Sequence, residues 1–298
     1  MSVDQHEAPW WKKTTVYQIY PRSFLDTNGD GVGDLKGVLA KLDYLAELGV
    51  ETLWLTPFFD SPQRDFGYDI RSYGQVAADH GTWADFDQLL SAVHGRGMRL
   101  VLDMVLNHTS DEHPWFREAL RRKDSKERDY YLFRRGRGEG GSAPPTNWRS
   151  MIGPRGWHYH AASDEWYFAS FLPFQPDLNH RNPDVQKAVL AIVEGFLRKG
   201  VDGLRLDIFN AMFKDAGFLD NPPSLRPLPS EDNADGFFQR NLYTINHPDS
   251  VAFARTLRAH VDAVPGDPRF LVGEVFGPPS LLRSYCGEMG DGLNLVFL

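Results

Sequence analysis

At 298 residues the chain is long enough for one large core or two domains, and α/β barrels of this length often run undivided. A hydrophobic share of 42% and a charged share of 24% are those of an ordinary globular protein, while a net charge of −8 argues against a general binder of nucleic acid or anionic membrane. Cys286 is the single cysteine, so no disulfide can form within the chain and nothing points to an oxidising compartment.

In chain order, the first residues, "MSVDQHEAPWWKK", lack the apolar core of a signal peptide, and no stretch approaches the ~18 apolar residues of a membrane span. A cytoplasmic protein is the expectation. "VYQIY" (16–20) is β-branched and aromatic and runs into Pro21, which predicts a strand and then a turn. The loop that follows, "DTNGDGVGDLKG" (26–37), places Asp26, Asn28 and Asp30 at alternate positions. Gly31 stands at the sharp turn, Val32 offers a carbonyl, and Asp34 falls at the ninth place. That is the ligand order of a calcium loop, except that the twelfth position is Gly37 instead of Glu and no helix leads in. Leu35, Val38, Leu39, Leu42, Leu45 and Leu48 then make one apolar helical stripe closed by Gly49.

A strand over 51–57, a helix over 83–97 and a strand over 98–106 come next. After a long interruption there follow a helix (184–200), a strand (202–209), a helix (249–264), a strand (269–276) and a final strand candidate (292–298). Strands alternating with helices predict a parallel sheet with right-handed crossovers. No glycine fingerprint of a dinucleotide site follows the first strand. The interruption from about 108 to 180 is too long for an ordinary loop and, with Trp115, Trp148, Trp157 and Trp166, too aromatic for a disordered one. It reads as an inserted subdomain. The short basic run at 133–141 carries Glu139 and reads as a solvated loop.

Chemistry gathers at the C-terminal ends of three strands, where barrels of this kind place their active sites. The third strand ends in Asp103, Asn107 and His108, the fourth in Arg205 and Asp207, and the fifth in Glu274. Arg205 and Asp207 are two apart and face the same side, so the arginine is expected to hold that carboxylate ionised, as a nucleophile requires. Glu274 follows Gly273 within a run of Leu, Val and Phe, surroundings expected to raise its pKa as a general acid requires. One ionised and one protonated carboxyl make a glycosidase pair.

These residues bring a family into view. "DMVLNHTS" (103–110), "GLRLDIFNA" (203–211), "GEVF" (273–276), "QPDLN" (175–179), "DFGYDI" (65–70) and the stretch from Val16 to Val38 resemble the α-amylase superfamily, glycoside hydrolase family 13. Within it they are similar to the oligo-1,6-glucosidase and α-glucosidase group. The resemblance covers essentially the whole chain and implies a (β/α)8 TIM barrel of the α-amylase type. About six of its strands are present, and a subdomain is inserted after the third. The barrel would occupy 1–107 and 181–298, and the insert 108–180.

The resemblance also implies roles. Asp207 matches the catalytic nucleophile and Glu274 the general acid/base. Arg205 and His108 match residues that hold the nucleophile and the sugar, Tyr68 the ring that stacks on that sugar, and Asp69 the acid that grips the non-reducing-end glucose. The acidic loop matches a structural Ca²⁺ (or Mg²⁺) site, with Asp26, Asn28, Asp30, the Val32 carbonyl and Asp34 as ligands. The family's fourth region and its C-terminal β-domain have no counterpart here. The remainder of the barrel is therefore expected in a longer chain or on a second polypeptide.

The implied activity is a retaining α-glucosidase acting on short substrates such as maltose. The alternatives are oligo-1,6-glucosidase and sucrose-using transglucosylation. More remote is a non-catalytic interaction protein, such as a transporter heavy chain, against which stand the intact carboxylates and the lack of a membrane helix. Ile208, after the nucleophile, matches neither the Val that accompanies α-1,6 cleavage nor the Ala or Thr that accompanies α-1,4. "FKDAGFLDNPP" (213–223) is similar to a segment of the α-1,4-preferring members.

Overall fold

A computed structural model describes residues 8–297 except 229, 231, 232 and 234. Strand β1 (Val16–Ile19) leads through the short helix α1 (Pro21–Phe24) and the acidic loop into α2 (Leu35–Ala40) and α3 (Leu42–Glu47). The predicted apolar stripe is real, but Lys41 (φ −105°, ψ 6°) breaks the helix in two. Leu35, Val38, Leu42 and Leu45 stay buried on one face, while Leu48, the last member, is exposed.

Strand β2 (Thr52–Leu55) pairs in parallel with β1. A small antiparallel ribbon, β3 (Phe59–Asp60) and β4 (Ser72–Val76), then carries the turn that bears Tyr68. Helix α4 (Trp83–Gly95) opens on a capping box in which Thr82 and Asp85 satisfy each other's backbone amides, and it returns the chain to β5 (Arg99–Met104).

The expected excursion follows. Helix α5 (Pro114–Arg121) precedes a separate antiparallel sheet of β6 (Phe133–Arg134), β7 (Trp157–His160) and β8 (Glu165–Phe168). Leu132, Trp148, Trp157 and Phe168 give this sheet its own small core. The chain rejoins the main sheet through α6 (Pro183–Lys199), capped by Asn182 and closed by Gly200 in the left-handed region (φ 105°). Strand β9 (Gly203–Leu206), α7 (Pro248–Asp262), β10 (Phe270–Glu274), α8 (Pro279–Cys286) and β11 (Leu295–Phe297) complete the order. The sequence reading named no element at α8.

Six strands form one parallel sheet in the order β1-β2-β5-β9-β10-β11, a partial (β/α)8 barrel. Among the described residues β1 and β11 each have a single neighbour, so the sheet is open between them. The pleat sorts the side chains: Leu100, Leu102, Leu204, Leu206 and Leu271 belong to the main core with the helices. Val101, Phe270 and Val272 make a second cluster, against which Trp10, Trp11, Trp54 and Phe297 pack. Trp10 is tied there by an Nε1–H bond to the Pro268 carbonyl (3.0 Å). No described helix is long and apolar enough to cross a membrane.

Candidate active site

Beyond the C-terminal ends of β5, β9 and β10 the sheet meets a cavity of about 390 Å³ whose lining includes Asp65, Tyr68, His108, Arg205, Asp207 and Glu274. Its centre is Arg205. Parallel pairing sets Arg205 beside Asp103 on one side and Val272 on the other, so its side chain rises among three carboxylates. Nη1 donates to Asp103 Oδ1 (2.8 Å) and to Asp207 Oδ1 (2.7 Å), and Nη2 donates to Glu274 Oε2 (2.6 Å). Asp103 is almost fully buried and also accepts from the Tyr68 hydroxyl (3.1 Å) and Trp54 Nε1 (3.3 Å).

Three carboxylates and one guanidinium leave an excess of negative charge, and the consequences run against two expectations. Burial, with the Asp103 and Glu274 carboxylates adding to it, pushes the Asp207 pKa above the usual range although Arg205 pulls it down. Asp103 is likewise pushed up to about 6, chiefly by burial. Arg205 is shared three ways, so it does not simply hold Asp207 ionised; the cluster retains a proton more readily than an isolated acid would. Nor does Glu274 sit among apolar groups alone. Its Oε2 also accepts from the Ile208 backbone N–H (3.1 Å).

That last bond has a local origin. Ile208, directly after Asp207, lies in the left-handed region (φ 39°, ψ 47°), a costly conformation for a β-branched residue. The turn aims its amide at Glu274. The sequence carries no signal for it.

Tyr68, His108, Arg205, Asp207 and Glu274 thus line one cavity, but Asp69 does not join them. It is fully buried and accepts from the Ser61 hydroxyl (2.9 Å) and from the amides of Asp65 (3.1 Å) and Arg64 (3.2 Å). Asp69 shapes the turn. The acid of that loop which reaches the cavity is Asp65, held by Gln175 Nε2 (2.7 Å), with its pKa raised by burial. Two acids in "DFGYDI" compete for one role, and only the folded turn separates them.

His108 is buried, and burial lowers its pKa to about 4, so the ring is neutral near pH 7. Its Nδ1 faces Asn107 Nδ2 (3.3 Å), and its Nε2 has no hydrogen-bond partner within the protein.

The acidic loop lies apart from the cavity. Asp26 accepts from the amides of Asn28, Gly29 and Gly31, Asn28 Oδ1 from that of Asp30, and Asp30 Oδ1 from that of Val32. Asp34 caps α2 through Gly37 N (2.7 Å) and binds Thr27 with its other oxygen. Among the described residues no three His, Cys, Asp or Glu side chains converge closely enough to hold a metal. The missing twelfth-position Glu has a steric reason. A Cβ on Gly37 would lie 2.0 Å from the Leu25 carbonyl oxygen, so only glycine fits.

The alpha-amylase catalytic domain family matches residues 18–298. The chain is 41% identical to a probable alpha-glucosidase of Rhizobium meliloti over 301 residues, covering 100% of this chain and 54% of that protein. It is 40% identical to an oligo-1,6-glucosidase of Halalkalibacterium halodurans, covering 97% of this chain and 49% of the relative. Among solved structures, the alpha-glucosyl transfer enzyme XgtA superposes with a TM-score of 0.90 at 40% identity, covering 97% of this chain and 54% of that one. The chain therefore spans about half the length of the relatives it matches. Matched along nearly all of its own length, it belongs to the alpha-amylase catalytic domain family.

Proposed function

We propose that the protein is a retaining α-glucosidase that cleaves terminal α-glucosidic bonds of short oligosaccharides by double displacement, with Asp207 as nucleophile and Glu274 as general acid/base. One observation carries this: a single guanidinium, that of Arg205, bonds both carboxylates. Bridging by one small group supports the close spacing of a retaining pair, about 5–5.5 Å, over the wider gap that an inverting pair needs for its water.

In the first step Asp207 attacks the anomeric carbon while Glu274 gives its proton to the glycosidic oxygen, so the aglycone leaves as an alcohol and a β-glucosyl ester forms. In the second, Glu274 takes a proton from water, which displaces Asp207 and yields α-glucose. Between these states the sugar ring is cationic, and the excess negative charge of Asp103, Asp207 and Glu274 lies against it in a buried site. The Tyr68 ring, anchored by Asp103, offers a stacking face, and Asp65 is the acid placed to accept hydroxyls of the terminal glucose.

The relatives' names include both hydrolases and a glucosyl transfer enzyme, so a sugar hydroxyl replacing water in the second step is the runner-up. Within hydrolysis we favour α-1,4 linkages, on the segment 213–223, and a cytoplasmic setting. Closing the barrel between β11 and β1 would take further β/α units, in the same polypeptide or a second one.

The acidic loop is proposed as a structural Ca²⁺ (or Mg²⁺) site. Every donor of Asp26, Asn28, Asp30, the Val32 carbonyl and Asp34 is oxygen, which suits a hard cation. Backbone amides lower the Asp26 pKa; for Asp34 burial is the largest single influence and acts upward, but the bonds from Thr27 and Gly37 together outweigh it and lower the pKa, so both are anionic at neutral pH.

The test of the activity is the anomer of glucose first released by the intact protein from p-nitrophenyl α-glucoside, whose aglycone is not a sugar, followed by proton NMR. α-Glucose appearing first supports double displacement, and β-glucose appearing first overturns it.

A further inference from the structure

Lys214 lies outside the carboxylate cluster, buried behind His108, and the mechanism above leaves it without a task. Its three protons are all engaged. Nζ donates to Asp177 Oδ2, to the Ala211 carbonyl, and to Asn107 Oδ1 (3.1 Å). Asp177 also accepts from the Ser170 amide and hydroxyl (both 2.6 Å), so its oxygens are fixed as well.

An ammonium can only donate, and this decides the orientation of the next group. Asn107 must turn Oδ1 toward Lys214, which leaves Nδ2, a donor, facing His108 Nδ1 at 3.3 Å. A ring nitrogen that receives an N–H must itself carry no proton. In a neutral imidazole the proton then resides on Nε2. That nitrogen is the one without a partner in the protein, on a residue that lines the cavity.

We propose that Lys214 is a positioning residue: through Asn107 it locks His108 as the Nε2–H tautomer, so that the ring presents a hydrogen-bond donor to a substrate hydroxyl in the cavity. The geometry also explains why a charged lysine is kept in the interior. A neutral side chain would leave Asn107 free to flip, offering Oδ1 to His108 and drawing the proton to Nδ1. Nε2 would then face the sugar as an acceptor. The substrate part of this inference rests on the glucosidase reading above, but the tautomer does not.

The experiment is nitrogen NMR of the intact protein with ¹⁵N-labelled histidine, without substrate, with the His108 signals assigned by loss in His108→Gln. The wild-type ring should show a protonated Nε2 and an unprotonated Nδ1. Lys214→Met alone would strand Asp177 as a buried charge and endanger folding, so the informative variant is Lys214→Met/Asp177→Asn, with Asp177→Asn as control. The control keeps the lysine and should keep the Nε2–H signature. The double variant should move the proton wholly or partly to Nδ1, with kcat/KM on maltose falling roughly threefold to tenfold, the worth of one neutral hydrogen bond. A wild-type proton on Nδ1, a control that loses the Nε2–H signature, or a double variant with an unchanged ring would each overturn the proposal. If the tautomer shifts as expected and maltose is not a substrate, the failure lies with the glucosidase reading instead.

Discussion

Replacing Asp103 by Asn should make the protein more stable at pH 7.5 and slightly less stable at pH 4. The carboxyl is buried beside Asp207 and Glu274 and is pushed up from 3.8 to about 6, with burial the largest cause. The sign follows from linkage. A group whose folded pKa is raised contributes stability that is fully present below the unfolded value and is lost as pH rises through the folded one. Above pH 6 the ionised Asp103 therefore weighs against the fold. At about 1.4 kcal/mol per pH unit, the rise sets an upper figure of about 3 kcal/mol, to be lowered because the carboxylates share protons. Asn has a single accepting oxygen and cannot accept from Arg205 Nη1 on one side and from Trp54 Nε1 and the Tyr68 hydroxyl on the other, which costs about 1 kcal/mol at every pH. The net gain at pH 7.5 is about 1–2 kcal/mol, or roughly 2–5 °C in melting temperature, and it vanishes near pH 4. Activity should fall by roughly 10² or more, because Arg205 and Tyr68 lose their common anchor. Calorimetry of both proteins at the two pH values is the assay. An equal shift at both, or a larger loss at pH 7.5 than at pH 4, would refute an excess of negative charge in this cluster.

Asp207→Asn should lower kcat on p-nitrophenyl α-glucoside by roughly 10³ or more, since the amide cannot form the ester. Glu274→Gln should depress maltose cleavage far more than cleavage of the nitrophenyl substrate, whose leaving group needs little proton assistance. A parallel loss on both would remove Glu274 from the acid role. Asp65→Asn should raise KM with little change in melting temperature, whereas Asp69→Asn should lower the stability by the worth of its buried bonds, about 1–3 kcal/mol, and the melting temperature with it. Chelation by EDTA should lower the melting temperature while leaving KM unchanged below the transition, because the acidic loop is remote from the cavity. An unchanged melting temperature after confirmed loss of the ion would end the structural assignment.

The parallel sheet was legible because its strands are short apolar runs bounded by turns, and a period of two tells which strand-end residues share a face. Arg205 and Asp207 could be paired on that ground alone. What spacing could not supply was the number of partners at one group. That Arg205 serves Asp103 and Glu274 as well as Asp207 depends on the register of β9 against β5 and β10, a non-local fact. The same limit explains Glu274, whose apolar sequence neighbours point into the core while its own carboxylate meets an amide from the turn after the neighbouring strand β9. The helical stripe from Leu35 predicted the buried face correctly and missed the break at Lys41, because a stripe is continuous across a small kink. In the loop bearing Tyr68, Asp65 and Asp69 were interchangeable as letters. Only the turn sends one carboxylate into the cavity and the other back to the amides that shape it.

The site's least stable features are those the proposed chemistry would use. A second buried positive charge near Asp103, Asp207 and Glu274 would relieve their repulsion, yet it would also oppose a cationic sugar in their midst. One guanidinium among three carboxylates is the arrangement that keeps the rim assembled and still leaves negative charge for the transition state. Ile208 follows the same logic. A relaxed backbone there would point its amide elsewhere, and Glu274 would lose the donor that, with Arg205, fixes Oε2 and leaves Oε1 for the proton transfer proposed. Stability has been given up at two points, a carboxylate cluster and a strained turn, and both adjoin Asp207. That coincidence is what an active site would produce and what a barrel kept only as a scaffold would have no reason to retain.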